Sequence, residues 1–281
     1  MSSNKFKTSK QDKRKGTLRL AIIFLVCALV IGSVSVAVIL KNNDTFLSDL
    51  FSKNDTTTIQ EETTENQLVE LPGELQGQMK ILVYSASRSL DEIYFLAVIN
   101  ADMEKPGFEV QPIDTSNPDY LSALSSGGEK GLVSAVEKAE GVSIDKYVAS
   151  NQDTFALAIN SMGGLEYTVD KRIDYKAEDF TLILTEGAQT IKGETLLKYF
   201  RYCKTLGDDG LLRQGELICR MIDSYVTAEN VEKGDKIYER ILSKLDSKSD
   251  ISHLEMSKAL QVLRVYCESD EKQPATVVFG K

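Results

Sequence analysis

The sequence predicts one α/β domain whose sheet is covered on both faces by helices, preceded by a single transmembrane helix. Two observations predict the domain. From residue 79 onward, short apolar runs alternate with stretches of helical period, and no repeat of fixed length is visible. The composition, 42% hydrophobic and 27% charged, is that of a folded protein, and some 200 residues can bury a sizeable core. A third observation predicts the membrane helix: Leu20 to Leu40 runs 21 residues without a charge.

Taken in chain order, the first element is a basic head. Residues 1–19 carry seven Lys or Arg against one acid, Asp12, whereas residues 42–281 hold 25 basic and 41 acidic residues. The apolar run between them spans about 30 Å as a helix, enough to cross a bilayer core. A cleaved signal peptide would have a shorter apolar region and a small-x-small end. This run instead closes on Val36-Ala37-Val38-Ile39-Leu40, as an uncleaved signal anchor does. Basic residues ahead of it place the N-terminus in the cytoplasm and residues from 41 onward outside. Residues 41–78 are rich in Asn, Asp, Thr, Glu, Ser and Gln, bury little, and read as a disordered polar stalk.

The folded part, residues 79–281, begins with three strands: Met79 to Tyr84, Ile93 to Ile99 and Phe108 to Ile113. Asn100-Ala101-Asp102 and Pro106-Gly107 supply the turn between the second and third. The period then changes. Glu129 to Glu140 sets Leu132, Val133, Val136 and Ala139 on one helical face, closed by Gly141. A strand at Tyr147 to Ser150 and a helix at Asp153 to Met162, stopped by Gly163-Gly164, come next. Strands at Leu165 to Val169 and Thr181 to Thr185 follow. Helices then dominate: Gly193 to Cys203, Leu211 to Tyr225, Val231 to Leu245 and His253 to Tyr266.

Several function classes are excluded early. The chain has one His, His253, in a polar stretch that reads as structural or solvated, so His-based triads and His-rich zinc sites have no residues to build on. The net charge of -9 argues against a nucleic-acid binder. With Cys27 in the membrane run, Cys203, Cys219 and Cys267 remain outside, an odd number without CxxC spacing. They do not describe a disulfide scaffold and read as small buried hydrophobes. No Gly-rich phosphate loop, HExxH, GxSxG or EF-hand pattern occurs. What remains is a polar helix connection in which Arg201, Arg213 and Gln214 flank Gly207-Asp208-Asp209-Gly210. Arginine forks suit phosphate oxygens, and carboxylates with a divalent cation suit them from the opposite sign. A solvated loop laced with surface ion pairs is the alternative.

The order of these residues resembles the extracellular domain of the LytR–CpsA–Psr family of Gram-positive envelope proteins. Gly127-Gly128, Val136-Glu137-Lys138, Gly141, Ile144-Asp145 and Tyr147-Val148 are similar to its Gly-Gly, valine-glutamate-lysine helix and following strand. Asn151 with Phe155, then Gly163-Gly164-Leu165-Glu166, resembles its next helix start and turn. Leu184, Gly187, Gly193-Glu194, Leu197, Tyr199 and Arg201 resemble the helix that ends in Tyr-x-Arg-x-Arg, and Arg213-Gln214 the pair that opens the next one. The resemblance covers about residues 79–267.

It implies a three-layer α/β/α domain with a mixed central sheet. It also implies a phosphotransferase that moves a glycopolymer from a polyprenyl-pyrophosphate carrier onto peptidoglycan, with Mg²⁺ at the pyrophosphate. By resemblance, Asp91 is the metal-side carboxylate, and Arg88, Arg201 and Arg213 are catalytic phosphate-contacting arginines. Gln214 and Asp209 are substrate-binding positions. The departures are equally specific. Tyr84-Ser85-Ala86 stands where the family has Gly-Ser-Asp, and Pro112-Ile113-Asp114 where it has Pro-Arg-Asp. Cys203 replaces the second Arg of the Tyr-x-Arg-x-Arg run, Gly210-Leu211 replaces Gly-Arg, and Asp119 stands where a Lys is usual. Each lost phosphate contact of this kind costs on the order of 10²–10³ in rate. Two hypotheses follow: a working transferase with a reduced arginine set, or a non-catalytic envelope protein that binds a lipid-linked precursor or a partner. A transcription regulator conflicts with the topology, which puts the domain across the membrane from DNA.

Overall fold

Strands buried on both sides read as continuous apolar runs, and β1 (Gln78–Ala86) and β2 (Ile93–Asp102) are such strands. The structure is a computed structural model that describes residues 78–102, 107–232, 248–251 and 253–280. The basic head, the Leu20–Leu40 run and the stalk up to residue 77 lie outside the described residues, as do residues 233–245 of the helix expected over Val231 to Leu245. Among the described residues, no helix is long and apolar enough to cross a membrane.

The strands β1 and β2 pair antiparallel, with Ile81 opposite Ile99 and Leu82 opposite Val98. On the far side of β2 lies antiparallel β3 (Gly107–Pro112). On the far side of β1, β4 (Lys146–Asn151) runs parallel, so the chain must cross over before it can pair. The crossover is α1 (Pro118–Glu140). With the edge strands β9 (Lys248–Ser249) and β10 (Thr276–Val277), the sheet order is β10-β3-β2-β1-β4-β9. Antiparallel and parallel pairs coexist, as the mixed-sheet expectation requires.

Alternation along the strands creates two apolar faces. Leu82, Tyr84, Leu96 and Val98 meet α1 through Tyr120, Leu124, Leu132 and Val136. Ile81, Val83, Phe95, Ala97 and Ile99 face the other way. They are covered by α2 (Gln152–Ser161), α3 (Gly193–Cys203), α4 (Asp208–Tyr225) and α6 (His253–Glu268). The rings of Phe95, Phe155 and Phe200 fix α2 and α3 to the sheet, with centroids 4.6–6.1 Å apart. A short α5 (Ala228–Glu232) follows α4. Two small ribbons, β5 (Leu165–Val169) with β8 (Gly187–Ile191) and β6 (Ile173–Lys176) with β7 (Thr181–Leu184), link α2 to α3.

The structure adds elements that the sequence pattern hides. The helix α1 begins at Pro118, eleven residues before the expected start, with Asn117 capping the Asp119 amide. Its first half is masked in sequence by Ser125, Ser126 and Gly127, and by a break at Gly128, which adopts φ 62°. The strands β6 and β8 are short and half polar. The start of the expected α2 is set by an Asn151–Thr154 capping box, and Gly163 and Gly164, both at positive φ, follow its end.

Helices α2 and α3 approach so closely that a Cβ on Gly193 would lie 2.4 Å from the Ala156 backbone, while the Gly193 amide donates to Asn160 Oδ1 at 2.9 Å. Gly193→Ala is therefore expected to destabilise the domain by about 1–3 kcal/mol, measured as a lowered urea midpoint at unchanged m.

Candidate functional site

The connection between β1 and β2 is a tight turn built around one hydroxyl. Ser87 Oγ accepts the amides of Asp91 and Glu92 at 3.0 and 3.2 Å and donates to the Asp91 carboxylate. The Ser87 amide closes the turn on the Glu92 carbonyl at 2.8 Å, with Leu90 in the left-handed region at φ 53°. Hydrogen bonds from Ser87 first, then Ser89, and the nearby Arg201 charge hold the Asp91 carboxyl below the usual carboxylate range. The turn thus fixes Asp91 as an anion and delivers Glu92 to the start of β2.

Glu92 leads to Arg201. Arg201, in the last turn of α3, is 22% exposed, with Nε 3.0 Å from a Glu92 oxygen and Nη1 2.8 Å from Asp179 Oδ2. Its guanidinium carbon lies 4.4 Å from the Phe180 ring centroid and 5.8 Å from that of Tyr94. Burial opposes the charge, but Asp179 and Glu92 outweigh it, so the guanidinium pKa is raised. Glu92 also takes Lys204 Nζ at 3.1 Å, and that ammonium is tied to the Ile93 carbonyl at 2.9 Å.

Arg201 borders a cleft of about 540 Å³. One wall is α2, with Gln152, Asp153, Ala156, Leu157 and Asn160, and the floor is α3, with Glu194, Leu197, Lys198 and Arg201. Asp179 and Phe180, from the turn between β6 and β7, form the opposite wall, and Tyr94 closes the end. Its hydroxyl donates to Gln152 Oε1 at 2.7 Å. Across the mouth, Arg88 pairs with Asp153 at 2.7 Å, both side chains more than half exposed. Such an exposed pair stabilises little, about 0–1 kcal/mol.

The predicted residues therefore divide. Arg201 lines the cleft, Arg88 reaches its rim through Asp153, and Asp91 lies in the adjoining turn within the field of Arg201. Arg213 does not line it: it sits against the Tyr199 hydroxyl and reaches Asp170 at 3.9 Å. Gln214 is 2% exposed and spends its amide on the Phe200 carbonyl at 2.9 Å, which ties α4 to α3. Asp209 is exposed in the first turn of α4, where a carboxylate complements the helix dipole. Of the departures, Ile113 is buried in the α1 face of the core and Cys203 in the opposite face, so neither position offers a charge.

Pattern reading missed Glu92, Tyr94, Asp179, Phe180 and Lys204. Glu92 had a signal, a second acid beside Asp91 at a strand start. Asp179 and Phe180 had none, because only the folding of the β6–β7 ribbon onto α3 brings them to Arg201.

The donor set was tested for Mg²⁺. Among the described residues, no three His, Cys, Asp or Glu converge on one point. Asp91 is a single carboxylate already engaged by Ser87, and Ala86 carries no oxygen. Ser85 Oγ, fully buried without a hydrogen-bond partner, adds only a neutral hydroxyl. These residues do not form a resident Mg²⁺ site.

Comparison with known proteins bears on this geometry. A sequence model of the LytR_cpsA_psr family matches residues 111–270. The polyisoprenyl-teichoic acid–peptidoglycan teichoic acid transferase TagV of Bacillus subtilis (strain 168) is 29% identical over 162 residues, covering 56% of this chain. The match covers 40% of that transferase. The crystal structure of B. subtilis TagV superposes with a TM-score of 0.56 at 22% identity, over 73% of this chain and 84% of that one. A putative transcription regulator from Eubacterium siraeum gives a TM-score of 0.57 at 16% identity, over 81% and 90%. At these identities the structural likeness establishes the shared mixed α/β fold.

Cys203 and Cys219 are buried free thiols, and burial pushes each up to about 12. Thiolate is the reactive form, so neither should alkylate with iodoacetamide between pH 7 and pH 9 in the folded chain. Both should label fully in denaturant, as read by peptide mass spectrometry.

Proposed function

Because the chain belongs to the LytR–CpsA–Psr family, we propose that it works in cell-envelope assembly as a phosphotransferase, passing a glycopolymer from a polyprenyl-pyrophosphate carrier to peptidoglycan. The observation that carries the proposal is Arg201: a partly buried, permanently charged guanidinium at the end of a cleft, gripped from two sides and stacked on Phe180. The name of TagV, a teichoic acid transferase acting with peptidoglycan, supports the class of polymer and acceptor. In this reading the Leu20–Leu40 run anchors the chain in the membrane with the domain outside, where both lipid carrier and acceptor are met.

The chemistry asked of the protein is modest. An acceptor hydroxyl attacks the phosphorus that bears the glycopolymer, its proton passes to solvent, and the bond to the distal phosphate breaks with polyprenyl phosphate leaving. Arg201 neutralises charge on the phosphate oxygens, and Arg88 meets the ligand at the mouth. The cleft walls orient it, so that positioning and preorganised charge supply the acceleration. Asp91, ionised at neutral pH, completes with Ser87 the turn that delivers Glu92, and Glu92 keeps Arg201 aligned.

A second reading, binding without turnover, is favoured by a specific observation: Ala86, Ile113, Leu211 and Cys203 remove charge and put no replacement in the cleft. Full-length chain in detergent micelles, given a polyprenyl-pyrophosphate glycolipid, separates the two. We expect release of polyprenyl phosphate that falls by on the order of 10²–10³ in Arg201→Ala. Glycolipid binding with no release in the wild type would overturn the transferase and leave the binding protein.

A further inference from the structure

Arg201 is held by two carboxylates that differ in every respect that matters for exchange. Glu92 is 27% exposed and follows the hydroxyl-locked turn. Its second oxygen is held by Lys204, which is itself fixed to the Ile93 carbonyl. Asp179 is 62% exposed and sits in the turn of a two-stranded ribbon whose paired residues end at Lys176 and Thr181. Its carboxyl is held below the usual range by Arg201, through the hydrogen bond first. Next to it, Phe180 packs on Tyr175, which packs on Tyr202 of α3, at centroid distances of 5.7 and 5.0 Å. The ribbon is thus pinned to α3 by aromatic rings while its Asp179 carboxylate faces solvent and cleft together.

We propose that Asp179 is a tethered, displaceable counter-ion that sets which anions can reach Arg201. The inference rests on the reading of Arg201 as the phosphate-binding group. Glu92 keeps the guanidinium oriented throughout, and the ligand takes the place of Asp179 on Nη1. A ligand with one negative charge offers Arg201 no more than Asp179 already does. It must also compete with a carboxylate held at high effective concentration by its own chain. A ligand with several charges on adjacent phosphates gains more Coulomb energy than Asp179 supplies and displaces it. Asp179 therefore lowers the apparent affinity of every anion by the same factor, which keeps weakly bound phosphodiesters off Arg201 while pyrophosphate-type ligands still displace it, a distinction that matters where the acceptor product is itself a phosphodiester. Phe180, stacked on the same guanidinium, holds its plane while the exchange occurs.

The test titrates full-length chain in detergent micelles at low salt with sodium pyrophosphate and, separately, dimethyl phosphate, followed by calorimetry. Wild type should favour pyrophosphate strongly. In Asp179→Asn the affinities for dimethyl phosphate and pyrophosphate should both rise, by about three- to tenfold. Glu178→Gln makes the same change in net charge one residue away and should leave both affinities close to wild type. Arg201→Ala should lose both probes. If neither affinity rises in Asp179→Asn, or both rise equally in Glu178→Gln, the counter-ion role is overturned while Arg201 keeps its assignment. If pyrophosphate binds Arg201→Ala as well as wild type, or binds no variant at all, the Arg201 reading itself fails.

Discussion

Because β1 and β2 are buried on both faces, almost every other element is placed by the need to cover one of them. Ile81, Leu82, Leu96, Ala97 and Val110 are fully buried, at 0% exposure, though they point to opposite sides. At roughly 25 cal/mol per Å² of apolar surface removed from water, leaving either face open would cost more than a domain's whole net stability of about 5–15 kcal/mol. The crossover helix α1 closes one face, and α2, α3, α4 and α6 close the other. The strand ends then become the one place where polar groups can gather. Four buried hydroxyl residues, Ser85, Ser87, Ser150 and Thr154, lie at the ends of β1 and β4 and the start of α2. The cleft lies between α2 and α3, which meet closely at Ala156 and Gly193.

Electrostatics at the cleft are local and opposed to the field of the molecule. Outside the basic head the chain is strongly acidic, and each arginine near the site has an acid from its own chain as partner: Asp153 for Arg88, Glu92 and Asp179 for Arg201. An anionic ligand of the proposed kind would arrive against that background and be held by a few close contacts. The pairs keep the guanidiniums ordered while no ligand is present. Their worth at the exposed mouth is small, and it grows where Arg201 is partly withdrawn from water.

How much of this was legible in the sequence depended on the range over which each signal acts. Strands β1, β2 and β3 and helices α3 and α4 were readable because period and turn chemistry are local. The first half of α1 was lost to serines and a glycine pair that break the apolar stripe, although Asn117-Pro118 carried a start signal. Arg201 stood out by type and by resemblance. Its partners did not, since Asp179 lies 22 residues away and reaches it through a ribbon with no strong pattern. Gln214 shows the reverse: resemblance pointed to substrate, while the fold turns its amide inward to the Phe200 carbonyl.

The parallel pairing of β10 with β3 has a consequence for how the domain is made. Val110 and Val277 are partners in the ladder, and Val277 also packs against Gly215 of α4. That edge of the sheet therefore waits for residues far downstream, while β1 and β2 can zip as soon as their hairpin is complete. Contacts so distant along the chain slow folding and prolong the exposure of an unpaired strand. Until β10 arrives, the outer edge of β3 is open, a template for any extended chain beside it.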